Sequence, residues 1–123
     1  MIKVLVTGSR HLEGEAAYMR ICDAFEEAYQ EWDWGSLWVV HGDAPGADSI
    51  AAVVAEGYLQ VAQIQPVPAD WETYGKAAGP IRNQRMVNLG GYNLCLAFPE
   101  PDSNGTWDCV KRASLAGIRV NIR

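Results

Sequence analysis

The chain has 123 residues, the length of one domain, with no room for a second. Hydrophobic residues make up 49% and charged residues 20%, which is typical of a globular protein and excludes a disordered chain. The formal net charge of −5 argues against a protein that coats nucleic acid through a general positive field. Nucleic acid is therefore not an expected partner.

Charge is unevenly distributed along this acidic chain. Residues 13–33 contain seven acidic residues and one base, whereas residues 76–123 contain seven bases and three acids. A locally positive C-terminal half favours a small anionic ligand over a polyanion.

The cysteines Cys22, Cys95 and Cys109 are odd in number, and none forms a C-x-x-C pair. We therefore expect neither a metal site nor a disulfide framework, and we predict a cytoplasmic protein. The apolar run at the N-terminus is too short for a signal peptide. No stretch approaches the roughly 18 apolar residues of a membrane span, so no membrane association is expected.

Apolar runs and helical spacings alternate along the chain. They predict a strand at 2–7, a helix across 17–32, a strand at 37–41, a helix at 47–57, a strand at 61–67, a helix at 79–90, a strand at 92–98, a helix at 106–116 and a strand at 118–122. Residues 68–79 show no clear period and are predicted to form a long polar loop. In the second helix, Ile50, Ala51, Val53 and Val54 are expected to face the core.

This alternation predicts an α/β fold: one Rossmann-like, doubly wound parallel sheet of five strands with helices on both faces and the first strand at its centre. In such sheets, ligands bind at the carboxyl ends of the strands, where the chain order reverses. The loops expected at that edge are 8–11, 41–48, 68–79 and 99–106, and glycine recurs in them.

Several common catalytic motifs are absent. No G-x-G-x-x-G follows the first strand, and neither a P-loop nor a G-x-S-x-G elbow occurs. A site must therefore be built from backbone amides, arginines and isolated polar groups, with no cofactor expected.

The first candidate site residues are Gly8, Ser9 and Arg10, directly after the first strand. Backbone amides there, the Ser9 hydroxyl and Arg10 could hold a phosphate. The alternative is a plain strand-to-helix turn with a solvated arginine.

A second group surrounds the helix that begins near Gly79: Lys76, Arg82, Asn83 and Arg85. A helix N-terminus is already positive, so arginines in its first turns are misplaced unless an anion binds there. Alternatively, they extend into water or pair with acidic residues of the preceding loop.

Two further loops carry candidates. His41, Gly42, Asp43, Gly46 and Asp48 follow the second strand; Asn104, Gly105, Thr106 and Asp108 open the last helix. An aspartate of the first loop could hold ribose hydroxyls, although Asp48 is also placed to cap a helix, and His41 fits either a core position or acid–base chemistry. Thr106 could cap its helix or bind phosphate.

Aromatic and sulfur side chains leave alternatives open. Trp71 could stack on a base or pack on its own loop. Cys109 could have a lowered thiol pKa in the first turn of its helix, or serve as a small core residue. Trp32, Trp34 and Trp38 fit the core or a subunit contact, which leaves a homo-oligomer open.

Together the segments VTGSR, HGDAPGAD, PADWETYGKAAGPIRNQRMV and NGTWDCVKRA resemble the YspA/YpsA-related branch of the SLOG superfamily, across nearly the whole chain. That superfamily includes the DprA/Smf DNA-processing proteins and the LOG phosphoribohydrolases. The resemblance implies strand order 3-2-1-4-5 and a nucleotide or nucleotide-derived ligand at the edge described above.

The enzymatic relatives carry P-G-G-x-G-T-x-x-E, with a catalytic glutamate and an arginine from the preceding helix. Here Gly105, Thr106 and Arg82 match, but Cys109 occupies the glutamate position and Asp108 lies one residue early. The resemblance therefore implies a small-molecule nucleotide binder, acting as a sensor or sequestering module. The alternative is a phosphoribohydrolase that cleaves the N-glycosidic bond of a nucleoside monophosphate, with Arg82 on the phosphate and Asp108 in the acid–base role.

Overall fold

The computed structural model describes residues 2–31, 36–58 and 61–123. Its strands are β1 (Ile2–Gly8), β2 (Leu37–His41), β3 (Val61–Pro66), β4 (Leu94–Phe98) and β5 (Val120–Ile122). Its helices are α1 (Gly14–Glu31), α2 (Ala47–Glu56), α3 (Trp71–Tyr74), α4 (Ala78–Leu89) and α5 (Asn104–Leu115), with a 3-10 helix at Gly75–Ala77.

The five strands form one parallel sheet in the order β3-β2-β1-β4-β5. Val4 of the central strand β1 is in register with Val39 of β2 on one side and Leu94 of β4 on the other. The predicted fold class, strand order and central position of the first strand are therefore confirmed. Because all the strands are parallel, their carboxyl ends point the same way, and the loops after β1, β2 and β4 meet at one edge.

Alternate residues of the central strands divide the core into two layers. Val4 and Val6 pack with Phe25 on the face covered by α1 and α2. Leu5 packs with Met86 on the face covered by α4 and α5. Because both faces are covered, the middle of β1 is a continuous apolar run at Val4, Leu5 and Val6 rather than an alternation of apolar and polar residues.

Two predictions about the helices were wrong. Val53 is 57% exposed, whereas Ala55 is buried, because the inward face of α2 follows the three- and four-residue spacing of Ala47, Ala51 and Val54. The segment 68–79 is not a loop throughout, since it forms α3 and the 3-10 helix. Its start is capped by Asp70, which accepts a hydrogen bond from the Thr73 amide at 3.2 Å.

Trp38 is half-buried, and its indole donates a hydrogen bond to Gln65 at 3.2 Å while the Lys3 ammonium lies 4.2 Å from the ring centre. This packing accords with the core alternative for Trp38. Trp32 and Trp34 lie outside the described residues, so the predicted helix end at Trp32 does too. Within the described ranges, no helix is long and apolar enough to cross a membrane.

Candidate functional site

A cavity of about 520 Å³ opens at the carboxyl edge of the sheet. Its walls come from the loop after β1, the start of α2, the segment from α3 to α4, and the loop that leads into α5. Sequence-predicted site residues that line it are Gly8, Ser9, Arg10, Asp48, Trp71, Lys76, Gly79, Arg82, Asn83, Asn104, Gly105, Thr106 and Asp108.

The structure does not bring every predicted residue to this cavity. His41, Gly42, Asp43 and Gly46 are not in its lining. Arg85 is exposed, is absent from the lining of this cavity and lines two separate depressions instead.

Sequence reasoning missed part of the lining, namely Thr7, His11, Ala44, Pro80, Met86, Asp102 and Ser103. Met86 follows Arg82 by four residues, so helical spacing alone could have placed both on one face. The other residues flank or lie within loops already predicted to form the edge, but no motif distinguishes them.

Ser9 is fully engaged within the protein. Its amide donates to the Phe98 carbonyl at 2.9 Å, and its carbonyl accepts from the Ala47 amide at 3.0 Å. Its hydroxyl donates to Glu100 at 2.6 Å and accepts from the His11 amide at 3.1 Å. Ser9 therefore ties the ends of β1 and β4 together, and its amide is not available to a phosphate.

Two glycines on this side of the edge are required by close packing. A Cβ on Gly8 would overlap the Ala47 side chain and lie 3.0 Å from Phe98. Gly46 has φ of +79°, and a Cβ there would lie 2.5 Å from the Arg10 carbonyl carbon. Glycine at these positions thus lets α2 and the loop before it approach the end of β1.

Asp48 is buried, with 5% of its surface exposed, in the first turn of α2. Its Oδ2 accepts hydrogen bonds from the amides of Gly42 at 3.0 Å and Ala44 at 3.2 Å. Asp48 therefore folds the preceding loop back on itself instead of capping the helix, whose N-cap residue is Gly46. Burial raises the pKa of Asp48 to about 6, against the lowering effect of those hydrogen bonds and of Arg82.

His41 is buried at the end of β2, and burial lowers its pKa. Its Nδ1 accepts a hydrogen bond from the Asp43 amide at 3.0 Å, which leaves Nδ1 unprotonated and holds the loop. The burial of His41 and its hydrogen bond to the loop are those of a structural residue beside the cavity.

Arg82 lies between the cavity and the loop after β2. Its Nη1 donates to the Gly42 carbonyl, and its Nε donates to Asn83 at 2.9 Å. A Cβ on Gly42 would lie 2.5 Å from Nη1, so glycine at this position admits the guanidinium. The charge of Arg82 is consequently compensated in part by a backbone carbonyl and by nearby Asp48, not left free at the helix start as the sequence suggests.

The start of α5 differs from the other loops of the edge. No side chain caps this helix, and the amides of Gly105 and Thr106 have no hydrogen-bond partner in the described part of the chain. A Cβ on Gly105 would meet nothing within 4 Å. Thr106 is buried and is not the capping residue that the sequence suggested. Two helix amides therefore remain free beside the cavity, at the positive end of the helix dipole.

Asp108 also lines the cavity, and its Oδ2 accepts hydrogen bonds from Asn83 at 3.0 Å and Arg112 at 2.9 Å. Burial alone raises the pKa of Asp108, but these hydrogen bonds and the charges of Arg112 and Lys111 outweigh it and lower the pKa. The carboxylate is thus ionised at neutral pH. Cys109 is fully buried, and burial raises its pKa to about 11, which makes it a core residue rather than a reactive thiol.

Three cations that line the cavity form no ion pair with a carboxylate among the described residues: Arg10, Lys76 and Arg82. The Arg10 guanidinium lies 5.8 Å from the ring centre of Trp71, which is 49% exposed and packs over Gly79. Within the described ranges, no group of three or more His, Cys, Asp or Glu side chains could hold a metal ion.

In its fold, the chain is a Rossmann-like α/β protein with a cavity at the carboxyl edge of its sheet. It is 42% identical over 123 residues to the Gene 61 protein of Mycobacterium phage D29, in a match that covers 98% of this chain and 94% of the phage protein. The chain therefore belongs to the family of that phage protein. No family model and no solved structure matches it.

Proposed function

We propose that the protein binds a nucleotide or a nucleotide-derived small molecule in the edge cavity, with a phosphate at the start of α5. The observation that carries this proposal is the pair of free amides at Gly105 and Thr106. Arg82 and Lys76 line the same cavity, and neither forms an ion pair with a carboxylate among the described residues. An anion there receives both backbone and side-chain hydrogen bonds in a positive field.

Trp71 and the size of the cavity support a nucleotide over a bare phosphate. The indole is half-exposed at the cavity wall, where a base can stack on it. A volume of about 520 Å³ lies within the range of small-molecule sites. Membership of the YspA/YpsA-related branch of the SLOG superfamily is part of the same proposal, as is a role as a cytoplasmic sensor or sequestering module.

A phosphoribohydrolase is the second candidate, favoured by the ionised Asp108 carboxylate in the cavity wall. An ionised carboxylate can activate water as a base, but it cannot donate a proton as an acid. Because Cys109 is buried at the family's glutamate position, we favour binding without turnover. Release of free base from nucleoside monophosphates that is lost in Asp108→Asn would establish the enzyme instead.

Calorimetric titration with the four common ribonucleoside 5′-monophosphates tests binding directly. We expect at least one of them to bind wild-type protein and to bind Lys76→Ala more weakly. Lys111→Ala is the matched control, because Lys111 is an exposed lysine outside the cavity. Absence of binding, or equal losses in both variants, would overturn the proposal.

A further inference from the structure

Asp48, a residue of the cavity lining, carries one buried polar atom that the described part of the protein does not satisfy. Among the described residues, Asp48 Oδ1 is the only buried side-chain oxygen or nitrogen without a hydrogen-bond partner. A buried acceptor left unpaired costs roughly 1–3 kcal/mol, so native structures rarely retain one without a reason. Asp48 lines the cavity, and its Oδ2 is already held by two loop amides, which leaves Oδ1 for a ligand.

Gly42 holds Asp48 and Arg82 in a fixed relation. The Gly42 amide donates to Asp48, while the Gly42 carbonyl accepts from Arg82 Nη1. The two peptide groups of Gly42 therefore orient both the Asp48 carboxylate and the Arg82 guanidinium at the cavity. A guanidinium has five N–H donors, and the described chain engages the Nε donor and one donor on Nη1.

Asp48 with its unpaired acceptor and Arg82 with its spare donors line the same cavity, and this combination fits a hydroxyl group better than an amine. A hydroxyl can donate to Asp48 Oδ1 and at the same time accept from Arg82. A cationic amine would be repelled by the guanidinium, and a neutral aromatic amine is a poor acceptor.

We infer that Asp48 Oδ1 accepts a hydrogen bond from a sugar hydroxyl, so that Asp48 makes the site select ribose over deoxyribose. This inference rests on the proposed function, because it places the sugar of the phosphorylated ligand beside α2 while the phosphate lies at α5. Asp48 is then a specificity-determining residue rather than a catalytic one.

The test compares paired probes on wild-type protein: each ribonucleoside 5′-monophosphate that binds, with its 2′-deoxy and 3′-deoxy forms. We expect one deoxy form to bind at least about 10-fold more weakly, as is typical when a hydrogen bond to a charged group is lost. This comparison needs no variant, so it remains decisive if a substitution at Asp48 prevents folding.

The variant Asp48→Asn then assigns the selectivity to this residue. Its amide oxygen can replace Oδ2 and keep both loop hydrogen bonds, while its Nδ2 puts a donor where Oδ1 was an acceptor. We expect ribose and deoxyribose probes to bind the variant within about threefold of each other. The control Asp23→Asn, an exposed carboxylate on α1, should keep the wild-type ratio.

Two failures are distinguishable. Equal binding of ribose and deoxyribose forms by wild-type protein, or an unchanged ratio in a folded Asp48→Asn, would overturn the role of Asp48 while nucleotide binding stands. If no nucleoside monophosphate binds wild-type protein at all, the proposed function fails, and the inference about the sugar fails with it.

Discussion

The two sides of the sheet edge use glycine-rich sequence in different ways. On the side of β1 and β2, Gly8, Gly42 and Gly46 leave no space for a Cβ, and the Ser9 and Gly42 peptides are bonded to other parts of the edge. On the side of β4, Gly105 is open and its amide is free. The first side is a closed scaffold, and the second is the side with groups left for a ligand.

This contrast teaches that a glycine-rich loop at a switch point is not by itself a phosphate site. What distinguishes the two sides is whether the backbone donors are already satisfied. At Ser9, the amide already bonds to a carbonyl, whereas at Thr106 no partner is present among the described residues. Asp48, at the end of the loop after β2, keeps one buried oxygen unpaired and also lines the cavity, so it links the scaffold side to the cavity.

The largest effect on stability should come from adding a side-chain atom on the closed side, at Gly46. Gly46→Ala adds a Cβ that overlaps Ser9 and Arg10, at a backbone with φ of +79°. Strain and overpacking each cost about 1–3 kcal/mol, so we expect a loss of about 3 kcal/mol in the free energy of unfolding. Urea unfolding measures this loss, and a change below about 1 kcal/mol would mean that this side can relax to accept a side chain.

The raised pKa of Asp48 should make the stability of the protein depend on pH. Burial raises the pKa of Asp48 from its ordinary value of 3.8 to about 6, so the folded state holds the proton to higher pH than the unfolded state does. Stability therefore falls as pH rises from about 4 to 6, by about 2–3 kcal/mol. Asp48→Asn should lack this loss and be the more stable protein at pH 7.

Urea unfolding of both proteins at pH 4 and pH 7 measures this difference. The lowered pKa of His41 acts in the opposite direction, since stability from a neutral buried histidine is lost as pH falls. That contribution is common to both proteins and cancels in the comparison. Parallel pH profiles would show that the Asp48 carboxylate is already satisfied in the folded state.

Substitutions of the two arginines of α4, Arg82 and Arg85, should differ in their effect on ligand affinity. Arg82→Ala should weaken nucleoside monophosphate binding by about 1.5–3 kcal/mol, the range for hydrogen bonds to charged groups, and lower stability by about 1 kcal/mol through loss of the Gly42 contact. Arg85→Ala should change neither, because Arg85 lies outside the cavity. Calorimetry measures the affinity of the two variants, and thermal unfolding measures their stability. Equal losses of affinity in both variants would contradict the placement of the site.

The smallest effect on stability should follow a substitution on the open side. Gly105→Ala places a methyl group in empty space within α5, and alanine is favoured over glycine in helices by up to about 1 kcal/mol. We therefore expect unchanged or slightly higher stability together with weaker ligand binding, because the methyl group crowds the amides. Loss of stability with unchanged ligand binding would contradict this assignment, because it would make Gly105 a packing residue rather than part of the binding site.

Much of the fold could be predicted from the sequence because each strand is an apolar run bounded by turn residues. Positions that depend on tertiary contacts could not be predicted in this way. The exposure of Val53 depends on which face of α2 meets the sheet. Helix α3 depends on one capping contact from Asp70 within a polar segment.

For the candidate site, sequence placed the right loops at the edge but not the state of their backbone groups. Arg82 looks uncompensated along its own helix, yet its partner Gly42 is 40 residues away. Gly46 and Gly105 look alike in sequence, and only their surroundings separate a packing role from an open one. Arg85 shares a helix end with Arg82 in the sequence, yet it lines separate depressions outside the cavity.

Amide chemical-shift mapping during titration with a nucleoside monophosphate tests the central claim most directly. We predict that the amides of Gly105 and Thr106 shift most, since they are free in the unliganded protein. The amides of Ser9 and His11 should shift little, because both already donate hydrogen bonds within the protein. Large shifts at Ser9 and His11, with none at Gly105 and Thr106, would contradict the assignment of the phosphate to the start of α5.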